Sequence, residues 1–376
     1  MSVYLDCNAT SPVEPRVAEK VLFYLTEEFG NAGSRTHSSG LRAKKAVSEA
    51  RAHVAAVVGS DPSEVVFTSG ATESNNLALL GLSEALRESG RTHILSTAIE
   101  HKAVLEPLEV LAENGFDVEL LSPGSAGRIS VDELGARLRT DTGLVTVMQV
   151  NNETGVRQPT QEIAERLADH EAFFHVDAAQ GFGKVDGLEH ERVDLISVSG
   201  HKVYGPKGIG ALIARRRRLN RPPLRPLMVG GGQERGLRPG TLPVPLIVGL
   251  GEAAAIARRD RLARIARVEA VRHQILGCFS ELSFDINGAT EHLVPWTLNV
   301  ALDGVDAEAA IVALKDVVEL SNGAACTSSS YTTSHVLAAM GADVDRARSS
   351  LRLSWCHMTP DVPVREVRSA LALLAP

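Results

Sequence analysis

The sequence predicts an α/β fold in which helices wrap a mostly parallel sheet, followed by a smaller α+β part. Three observations support this prediction. The chain has 376 residues, which is more than one small core requires. Short apolar runs alternate with segments of helical spacing through most of the chain, as in folds built from βαβ units. Near residue 251 this pattern gives way to an arginine-rich amphipathic helix, predicted for residues 252–276.

The individual elements follow from local patterns, taken in chain order. Apolar residues at helical spacing predict helices over 15–29 and 39–58, because the first ends at Gly30 and Asn31 and the second at Gly59. Residues 70–74 are predicted to form the turn into a third helix. Short apolar runs with many β-branched residues predict strands. These strands are expected at 65–68, 93–97, 144–150, 172–176, 194–198, 209–214, 297–301 and 349–355.

The composition is that of a soluble globular protein, with 44% hydrophobic residues, 23% charged residues and a formal net charge of -7. The negative charge argues against non-specific nucleic-acid binding over the whole surface. A basic run at 215–218 is predicted to be a solvated edge after a strand, with a docking patch as the alternative. No run reaches the roughly 20 apolar residues of a membrane helix, and the first residues lack the features of a signal peptide. We therefore expect a cytoplasmic protein without membrane attachment.

Four cysteines are scattered along the chain, at Cys7, Cys278, Cys326 and Cys356. No pair has the C-x-x-C spacing, so the sequence suggests neither a disulfide framework nor a zinc site, and no metal is expected. Cys326 lies in SNGAACTSSS (321–330), whose small polar residues favour an exposed thiol. A thiolate in such a place is suited to sulfur transfer. On the local residues alone, a reactive cysteine and an incidental one are supported about equally.

Two short motifs at the ends of successive apolar runs carry the strongest chemical signal. DAAQ occupies 177–180 and SGHK occupies 199–202. Open α/β sheets bind ligands at the carboxyl ends of their strands, so Asp177 and Lys202 are expected at a common site. Such a pair suits pyridoxal phosphate (PLP), because a lysine can carry its aldehyde as a Schiff base while a carboxylate keeps its ring nitrogen protonated. The alternative is a helix-capping aspartate and an ordinary surface lysine.

Other polar clusters also follow predicted strands. Ala71 and Thr72 open a helix, where backbone N–H groups favour an anion such as a phosphate, and a simple threonine cap is the alternative. His101 can stack on a planar ring or move protons, although a lone histidine is more often structural. Asn151 and Asn152 can supply amides to a carboxylate or belong to an ordinary turn.

Taken together, these motifs resemble those of the cysteine desulfurases, the NifS- and IscS-like branch of the class V aminotransferase family of fold-type-I PLP enzymes. The resemblance extends from YLDCNAT at 4–10 to RLS at 352–354. Six further motifs occur in the family's order, a combination that chance does not produce. They are TSGATESNN (68–76), EHK (100–102), NNETG (151–155), DAAQ (177–180), SGHKVYGPKG (199–208) and GGGQERG (230–236).

The resemblance implies the fold-type-I architecture, in which a large PLP-binding domain is built on a mostly parallel seven-stranded sheet flanked by helices. This large domain is expected at 16–250. A smaller α+β domain is expected to comprise 1–15 and 251–376 and to carry the segment with Cys326. The resemblance also implies a homodimer.

The resemblance further implies roles for individual residues. Lys202 matches the lysine that carries PLP, and Asp177 matches the carboxylate at the ring nitrogen. His101 matches the residue stacked on the ring and Cys326 the nucleophile that receives sulfur. The other cofactor contacts are expected from Ala71, Thr72, Gln180, Ser199, His201 and, from the neighbouring subunit, Thr241. Asn152 and Arg352 match the groups that hold the substrate carboxylate, for which a guanidinium fork is well shaped.

The implied activity converts L-cysteine to L-alanine, with the sulfur passed to Cys326 as a persulfide and then to an acceptor protein. His101 is expected to help set the protonation of the thiols. Iron–sulfur cluster assembly, tRNA thiolation and DNA phosphorothioation are the implied uses of the sulfur, without direct binding of nucleic acid. Within the same fold, the alternatives are a selenocysteine lyase or a class V aminotransferase. A scaffold that docks sulfur acceptors is the alternative from a different class.

Overall fold

The computed structural model describes residues 2–217, 219–322 and 334–374. Its first three helices match the predicted ones, and the third begins at Ala71 as the glycine-bearing turn indicates. Within these ranges, no helix is both long enough and apolar enough to cross a membrane. The α-helices are α1 (Pro15–Thr26), α2 (Ser38–Val57), α3 (Ala71–Glu88), α4 (Lys102–Glu113), α5 (Val131–Arg137), α6 (Thr160–Arg166), α7 (Val244–Arg259), α8 (Arg261–Cys278), α9 (Ala307–Leu314), α10 (His335–Ala339), α11 (Val344–Arg348) and α12 (Val364–Ala372).

Eight of the strands in the described part of the chain fall at or within a few residues of the predicted apolar runs, and those at Val3–Tyr4, Asp117–Leu121, Phe284–Ile286 and Val318–Glu319 were not predicted. The strands are β1 (Val3–Tyr4), β2 (Val65–Thr68), β3 (His93–Thr97), β4 (Asp117–Leu121), β5 (Thr142–Met148), β6 (Phe173–Asp177), β7 (Leu195–Ser199), β8 (Gly210–Ala214), β9 (Phe284–Ile286), β10 (Thr297–Leu302), β11 (Val318–Glu319) and β12 (Ser350–Ser354). Short 3-10 helices span Pro62–Glu64, Gly200–Val203, Gln233–Gly236 and Thr290–His292.

Seven of the strands in the described part of the chain form one sheet in the order β2-β8-β7-β6-β5-β3-β4. Only β8 among these seven runs antiparallel to its neighbours. This confirms the mostly parallel sheet that the sequence predicts. Because the other six strands point the same way, their carboxyl ends share one edge of the sheet, where polar residues can gather.

The central strands are buried over nearly their whole length because helices cover both faces of the sheet. Successive residues of β5 point to opposite faces and pack in separate clusters. Leu144 belongs to the cluster that contains Leu82 of α3. Val145 belongs to the cluster that contains Val54 of α2 and Ile247 of α7. Two layers of helices therefore hold the sheet rigid and leave its carboxyl edge open for a site.

The smaller part of the structure is α+β, as expected. Strands β9, β10 and β12 form an antiparallel sheet, and β1 pairs with β11. Its core joins Val300 and Leu353 of that sheet to Ile275 of α8 and Leu371 of α12. Leu5 from the amino-terminal segment is buried in the same core. The first residues of the chain thus pack with the last hundred or so.

The prediction of one continuous helix over 252–276 is wrong, because two helices meet at Asp260. The backbone N–H of Asp260 closes α7 on Ile256, and its carbonyl accepts the first bond of α8 from Arg264. Its carboxylate also accepts from Arg259 at 2.8 Å. Because α7 packs in the core of the large sheet and α8 in the smaller core, the break lets the chain pass between them. Residue 251 lies inside α7, and the division at 250/251 stays a prediction.

The basic run is not a solvated edge at Arg215 and Arg217, and the docking patch stays a prediction. Arg215 is buried and donates to the backbone carbonyls of His190 and Val193. Arg217 donates to the carboxylate of Asp194 at 2.7 Å. Their guanidinium groups fasten the end of β8 to the segment before β7. Arg218 lies outside the described residues.

Candidate active site

Most of the predicted site residues lie at or just beyond the carboxyl edge of the large sheet. Asp177 is the last residue of β6, and Ser199 is the last residue of β7. Lys202 follows in the short 3-10 helix Gly200–Val203. His101 comes after β3 and Asn152 after β5. The sequence therefore predicted correctly where these residues lie with respect to the strands.

Asp177 is buried and held by two hydrogen bonds. One carboxylate oxygen, Oδ2, accepts from Nδ2 of Asn75 at 2.7 Å, and Oδ1 accepts from the backbone N–H of Ala179 at 2.9 Å. These bonds fix the carboxylate in one orientation. Asn75 lies on α3 in the motif TSGATESNN, and sequence reasoning assigned it no role. Its signal was a buried amide in the first turns of a helix that begins at the site.

Lys202 and Gln180 meet at the backbone carbonyl of Asn8. The Nζ of Lys202 donates to the carbonyls of Asn8 and Ala9, the latter at 2.7 Å. The Nε2 of Gln180 donates to the Asn8 carbonyl at 3.1 Å. The amino-terminal segment therefore crosses the sheet edge and contacts two of the predicted cofactor ligands. Sequence reasoning placed this segment in the family motif but missed its contact with Lys202.

Arg352 and Asn152 also meet near Asn8. The NH1 of Arg352 lies 3.4 Å from the carbonyl of Asn152, and Nδ2 of Asn8 donates to the same carbonyl at 2.9 Å. The NH2 of Arg352 donates to Asp6 at 2.7 Å. Among the described residues, Nε of Arg352 has no partner although it is buried. This leaves part of the guanidinium fork to a carboxylate ligand.

The start of helix α3 is where the sequence predicts an anion-binding group. It begins at Ala71, after Gly70, and the neighbouring Thr72 is exposed. Free N–H groups of a first helical turn attract a phosphate. Ser199 ends β7, and His201 lies in the 3-10 helix that follows it. Burial lowers the pKa of His201 to about 4, with the charge of Lys202 as a second cause. His201 is therefore neutral near pH 7.

His101 caps the amino terminus of α4. Its Nδ1 accepts from the backbone N–H of Ala103 at 3.0 Å, which leaves the proton of the neutral ring on Nε2. Desolvation lowers the pKa of His101, and the charge of Lys202 adds to this effect while that of Asp177 opposes it. The ring is thus a neutral, oriented imidazole within the electrostatic reach of both principal residues.

Glu100, the neighbour of His101, is a fully buried carboxyl that sequence reasoning left without a role. Its Oε1 accepts from Oγ1 of Thr97 at 2.7 Å and from the backbone N–H of Met148 at 2.8 Å. Burial raises the pKa of Glu100 to about 8. Its carboxyl group is therefore mostly protonated at neutral pH. The EHK motif drew attention to the histidine, and only the structure shows the burial of the glutamate.

Two predicted site residues remain, Cys326 and Thr241. Cys326 lies outside the described residues. The residues that flank its segment are fixed at the site, since Ser321 pairs with the backbone of Arg352 and Ser334 donates to Glu153 at 2.5 Å. Thr241 is exposed and precedes α7, and within the described ranges the structure shows no hydrogen bond from its side chain to the other site residues.

The residues present fit PLP. Gln180 Oε1 and His201 Nδ1 are buried and lack a hydrogen-bond partner anywhere in the described chain. Buried polar atoms are normally paired, so these two are suited to a polar ligand. A carboxylate for a ring nitrogen, a lysine for an aldehyde and a helix start for a phosphate lie along one sheet edge. This donor set matches the three polar ends of the cofactor.

Comparison with known proteins gives a family for the chain. The family described as Aminotransferase class-V matches residues 3–364. The protein "Cysteine desulfurase IscS" of Methylococcus capsulatus is 47% identical over 361 residues, which cover 96% of this chain and 89% of the relative.

Two solved structures support the same relationship. DndA from Streptomyces lividans has 53% sequence identity and a TM-score of 0.83, covering 94% of this chain and 99% of that one. SspA in complex with cysteine has 38% identity and a TM-score of 0.81, covering 96% of this chain and 100% of that one. Both structures align with nearly the whole of this chain. The chain therefore belongs to the class-V aminotransferase family and to its cysteine desulfurase branch.

Proposed function

We propose that the protein is a PLP-dependent cysteine desulfurase that removes the sulfur of L-cysteine and leaves L-alanine. The observation that carries this proposal is the meeting of Lys202, Gln180, Asn152 and Arg352 around Asn8. The amine of Lys202, the predicted cofactor ligand Gln180 and the pair predicted to bind a carboxylate thus lie close together. An α-amino acid carries an amino group and a carboxylate on one carbon atom, so it suits this arrangement.

The cofactor contacts follow from the residues at the sheet edge. Asp177 is proposed to face the ring nitrogen, and Gln180 with its unpaired Oε1 the ring hydroxyl. The phosphate would be held by Ala71, Thr72, Ser199, His201 and the partner subunit's Thr241. When bound, PLP supplies an electron sink that acidifies the Cα–H bond of the amino acid.

Lys202 is proposed to move the proton at Cα. Its Nζ is held by the backbone carbonyls of Asn8 and Ala9, which aim the amine without neutralising it. Arg352 and Asn152 hold the substrate carboxylate, and the part of the Arg352 fork not used by Asp6 is available for this contact. With the carboxylate fixed, the Cα proton is directed toward one base.

Cys326 is proposed to receive the sulfur. In this step, the thiol of Cys326 reacts with L-cysteine, and the products are the Cys326 persulfide and L-alanine. A thiolate is the attacking form, so a nearby base must accept the thiol proton. His101 is neutral and carries its proton on Nε2, so in this state it is suited to donate that proton during the exchange and thereby to help set the protonation of the thiols.

The sulfur then passes to an acceptor protein, and we propose a cytoplasmic homodimer as the working form. Iron–sulfur cluster assembly, tRNA thiolation and DNA phosphorothioation are the candidate uses. Relatives named IscS and DndA are both similar to this chain, and they do not separate these uses. The acceptor is proposed to be a protein, and no direct binding of nucleic acid is expected. Pull-down of acceptor proteins with the Cys326→Ala variant would therefore distinguish the three uses.

The role of Lys202 is tested with a matched pair of lysine variants. Lys202→Ala should form no L-alanine from L-cysteine and should lose the absorption of PLP bound to lysine. Lys45→Ala removes an exposed lysine on α2 whose weak ion pair with Glu49 is 3.7 Å long, and it should behave like the native protein. Undiminished alanine formation by a folded Lys202→Ala protein would refute the proposed base.

A further inference from the structure

A buried cluster of two cysteines lies beside the proposed active site and has no part in its chemistry. Cys7 and Cys356 pack together with Tyr204, and their residues are 7% and 1% exposed. Tyr204 follows the 3-10 helix that bears Lys202. The two thiols are therefore enclosed close to the cofactor lysine, and their burial excludes large reagents.

Backbone pairing fixes the two cysteines relative to each other. Asp6 forms a parallel bridge with Ser354, and the backbone N–H of Cys7 donates to the carbonyl of Ser354 at 3.0 Å. Cys356 follows Ser354 by two residues. The two side chains lie in one packed cluster, and each changes the pKa of the other. The amino-terminal segment and the end of β12 thus present a dithiol across one backbone contact.

Two donors of Thr359 contact Cys356. Its Oγ1 lies 3.8 Å from the sulfur, and its backbone N–H donates to the carbonyl of Cys356 at 3.1 Å. The neighbouring Cys7 side chain, and then the polar groups of Met358 and Thr359, lower the pKa of Cys356. The same interaction with Cys356, together with burial, raises the pKa of Cys7. Cys356 is thereby the thiolate of the pair and Cys7 the thiol.

A lysine adds to this environment. The Nζ of Lys184 lies 5.2 Å from the ring centre of Trp296 and 5.7 Å from that of Tyr204. Burial lowers the pKa of Lys184 to about 7, while the charges of Cys7 and Cys356 act against this shift. A partly protonated amine next to a thiolate stabilises the thiolate further.

We propose that Cys7 and Cys356 form an oxidisable dithiol whose reactant is a small hydroperoxide. The Cys356 thiolate attacks hydrogen peroxide, which gives the Cys356 sulfenic acid and hydroxide. The Cys7 thiol then attacks that sulfur, a disulfide forms, and water leaves with the thiol proton. The two cysteines lose two electrons in total, and the peroxide is reduced to one hydroxide and one water; the proton that Cys356 released on forming its thiolate converts the hydroxide to a second water.

Closing this disulfide has a consequence for the neighbouring site. Cys7 stands between Asp6, which binds Arg352, and Asn8, whose carbonyl accepts from Lys202. A covalent bond requires the sulfur atoms to approach to about 2.05 Å, closer than two thiols in contact. Because both side chains are packed and enclosed, we expect the closing bond to pull on the segment of Cys7 and to shift its neighbours Asp6 and Asn8. The oxidised protein should therefore bind L-cysteine several-fold more weakly.

The remaining described cysteine provides an internal control. Cys278 ends α8, is buried, and donates to the carbonyl of Gln274 at 3.5 Å. Burial raises its pKa to about 11. It has no partner thiol in the described chain, so it should stay reduced under conditions that oxidise Cys356.

The experiment uses the cofactor-loaded Cys326→Ala protein, which lacks the proposed sulfur acceptor and keeps both cluster thiols native. After treatment with hydrogen peroxide, alkylation in denaturant and non-reducing digestion, mass spectrometry should find peptides joined through Cys7 and Cys356. Dithiothreitol should release them, and Cys278 should be alkylated throughout. Adding Cys7→Ser should leave Cys356 as a sulfenic acid that dimedone labels. Adding Cys356→Ser should leave Cys7 as a thiol.

Two results would overturn this inference. One is a digest in which the joined peptides are absent and Cys278 is oxidised as fast as Cys356. The other is an unchanged titration of the cofactor absorption with L-cysteine after the disulfide has closed, which would refute the coupling to the site. If the proposed function itself fails, L-cysteine changes the absorption in neither form, while the joined peptides still form. The two failures are therefore distinguishable.

Discussion

The NH2 group of Arg352 donates to the carboxylate of Asp6 at 2.7 Å, joining two residues that are 346 positions apart in the chain. This contact ties the amino-terminal segment to β12. It also orients the guanidinium, because one edge of the fork is occupied and Nε has no partner in the part of the chain that the structure describes. A guanidinium held in this way presents a fixed edge to a substrate carboxylate.

Arg352→Lys should weaken the binding of L-cysteine. A lysine keeps the positive charge but loses the planar fork, so at least one charge-assisted hydrogen bond of about 1.5–3 kcal/mol is lost. The KM for L-cysteine should rise about tenfold to a hundredfold, with a smaller fall in kcat. Steady-state kinetics measure both. Arg267→Lys is the control, because Arg267 pairs with the exposed Asp361. A folded Arg352→Lys protein with native KM would contradict this assignment.

Asn75→Ala should weaken the binding of PLP. The substitution removes the 2.7 Å hydrogen bond to Asp177 and leaves one carboxylate oxygen without this buried donor. Such a loss is worth about 1–3 kcal/mol, or about fivefold to more than a hundredfold in affinity. Equilibrium dialysis of PLP against the cofactor-free protein measures the change. Asn114→Ala, an exposed position at the end of α4, should not alter the affinity. Equal affinities in both variants would rule out a contribution from Asn75.

The sequence was sufficient to predict the sheet and the position of most site residues. Apolar runs bounded by polar residues predicted most strands of the large sheet, because a strand buried on both faces is apolar at most of its positions. Asp177 and Lys202 were placed by the ends of those strands. The break at Asp260 was missed because helical spacing continues on both sides of it, and the change of core at that point depends on tertiary packing.

For a related reason, the sequence could not predict the contacts at Asn8 or the protonation state of Glu100. Asn8 meets Lys202 through a backbone carbonyl, and a backbone group leaves no signature in residue type. The pKa of Glu100 depends on burial, which local sequence does not specify for a charged residue at a strand end. The arginine run was misjudged in the same way, since Arg215 and Arg217 find buried partners far away in sequence.

Glu100→Gln should change how stability depends on pH. The pKa of Glu100 is raised from 4.5 to about 8 by burial, so between these values the folded state retains a proton that the unfolded state has lost. The free energy of unfolding therefore falls as pH rises through this window, by up to about 1.4 kcal/mol per pH unit. Glutamine keeps the shape and does not titrate.

Urea unfolding at several pH values between 4.5 and about 8 measures this difference. The stability of Glu100→Gln relative to the native protein should increase steadily with pH and level off above the window. Glu106→Gln, on the exposed face of α4, should follow the native curve. Parallel curves for Glu100→Gln and the native protein would show that the carboxyl ionises normally in the fold.

The most direct test of the proposed function compares L-alanine formation from L-cysteine by the native protein and by Cys326→Ser, both loaded with PLP and supplied with a reductant. We predict alanine and sulfide from the native protein only, with the absorption of bound cofactor unchanged in the variant. Equal alanine formation by both would contradict the account, because the sulfur would then leave without Cys326, as in a selenocysteine lyase. Absence of alanine from the loaded native protein would contradict it as well, since the substrate would then be another amino acid.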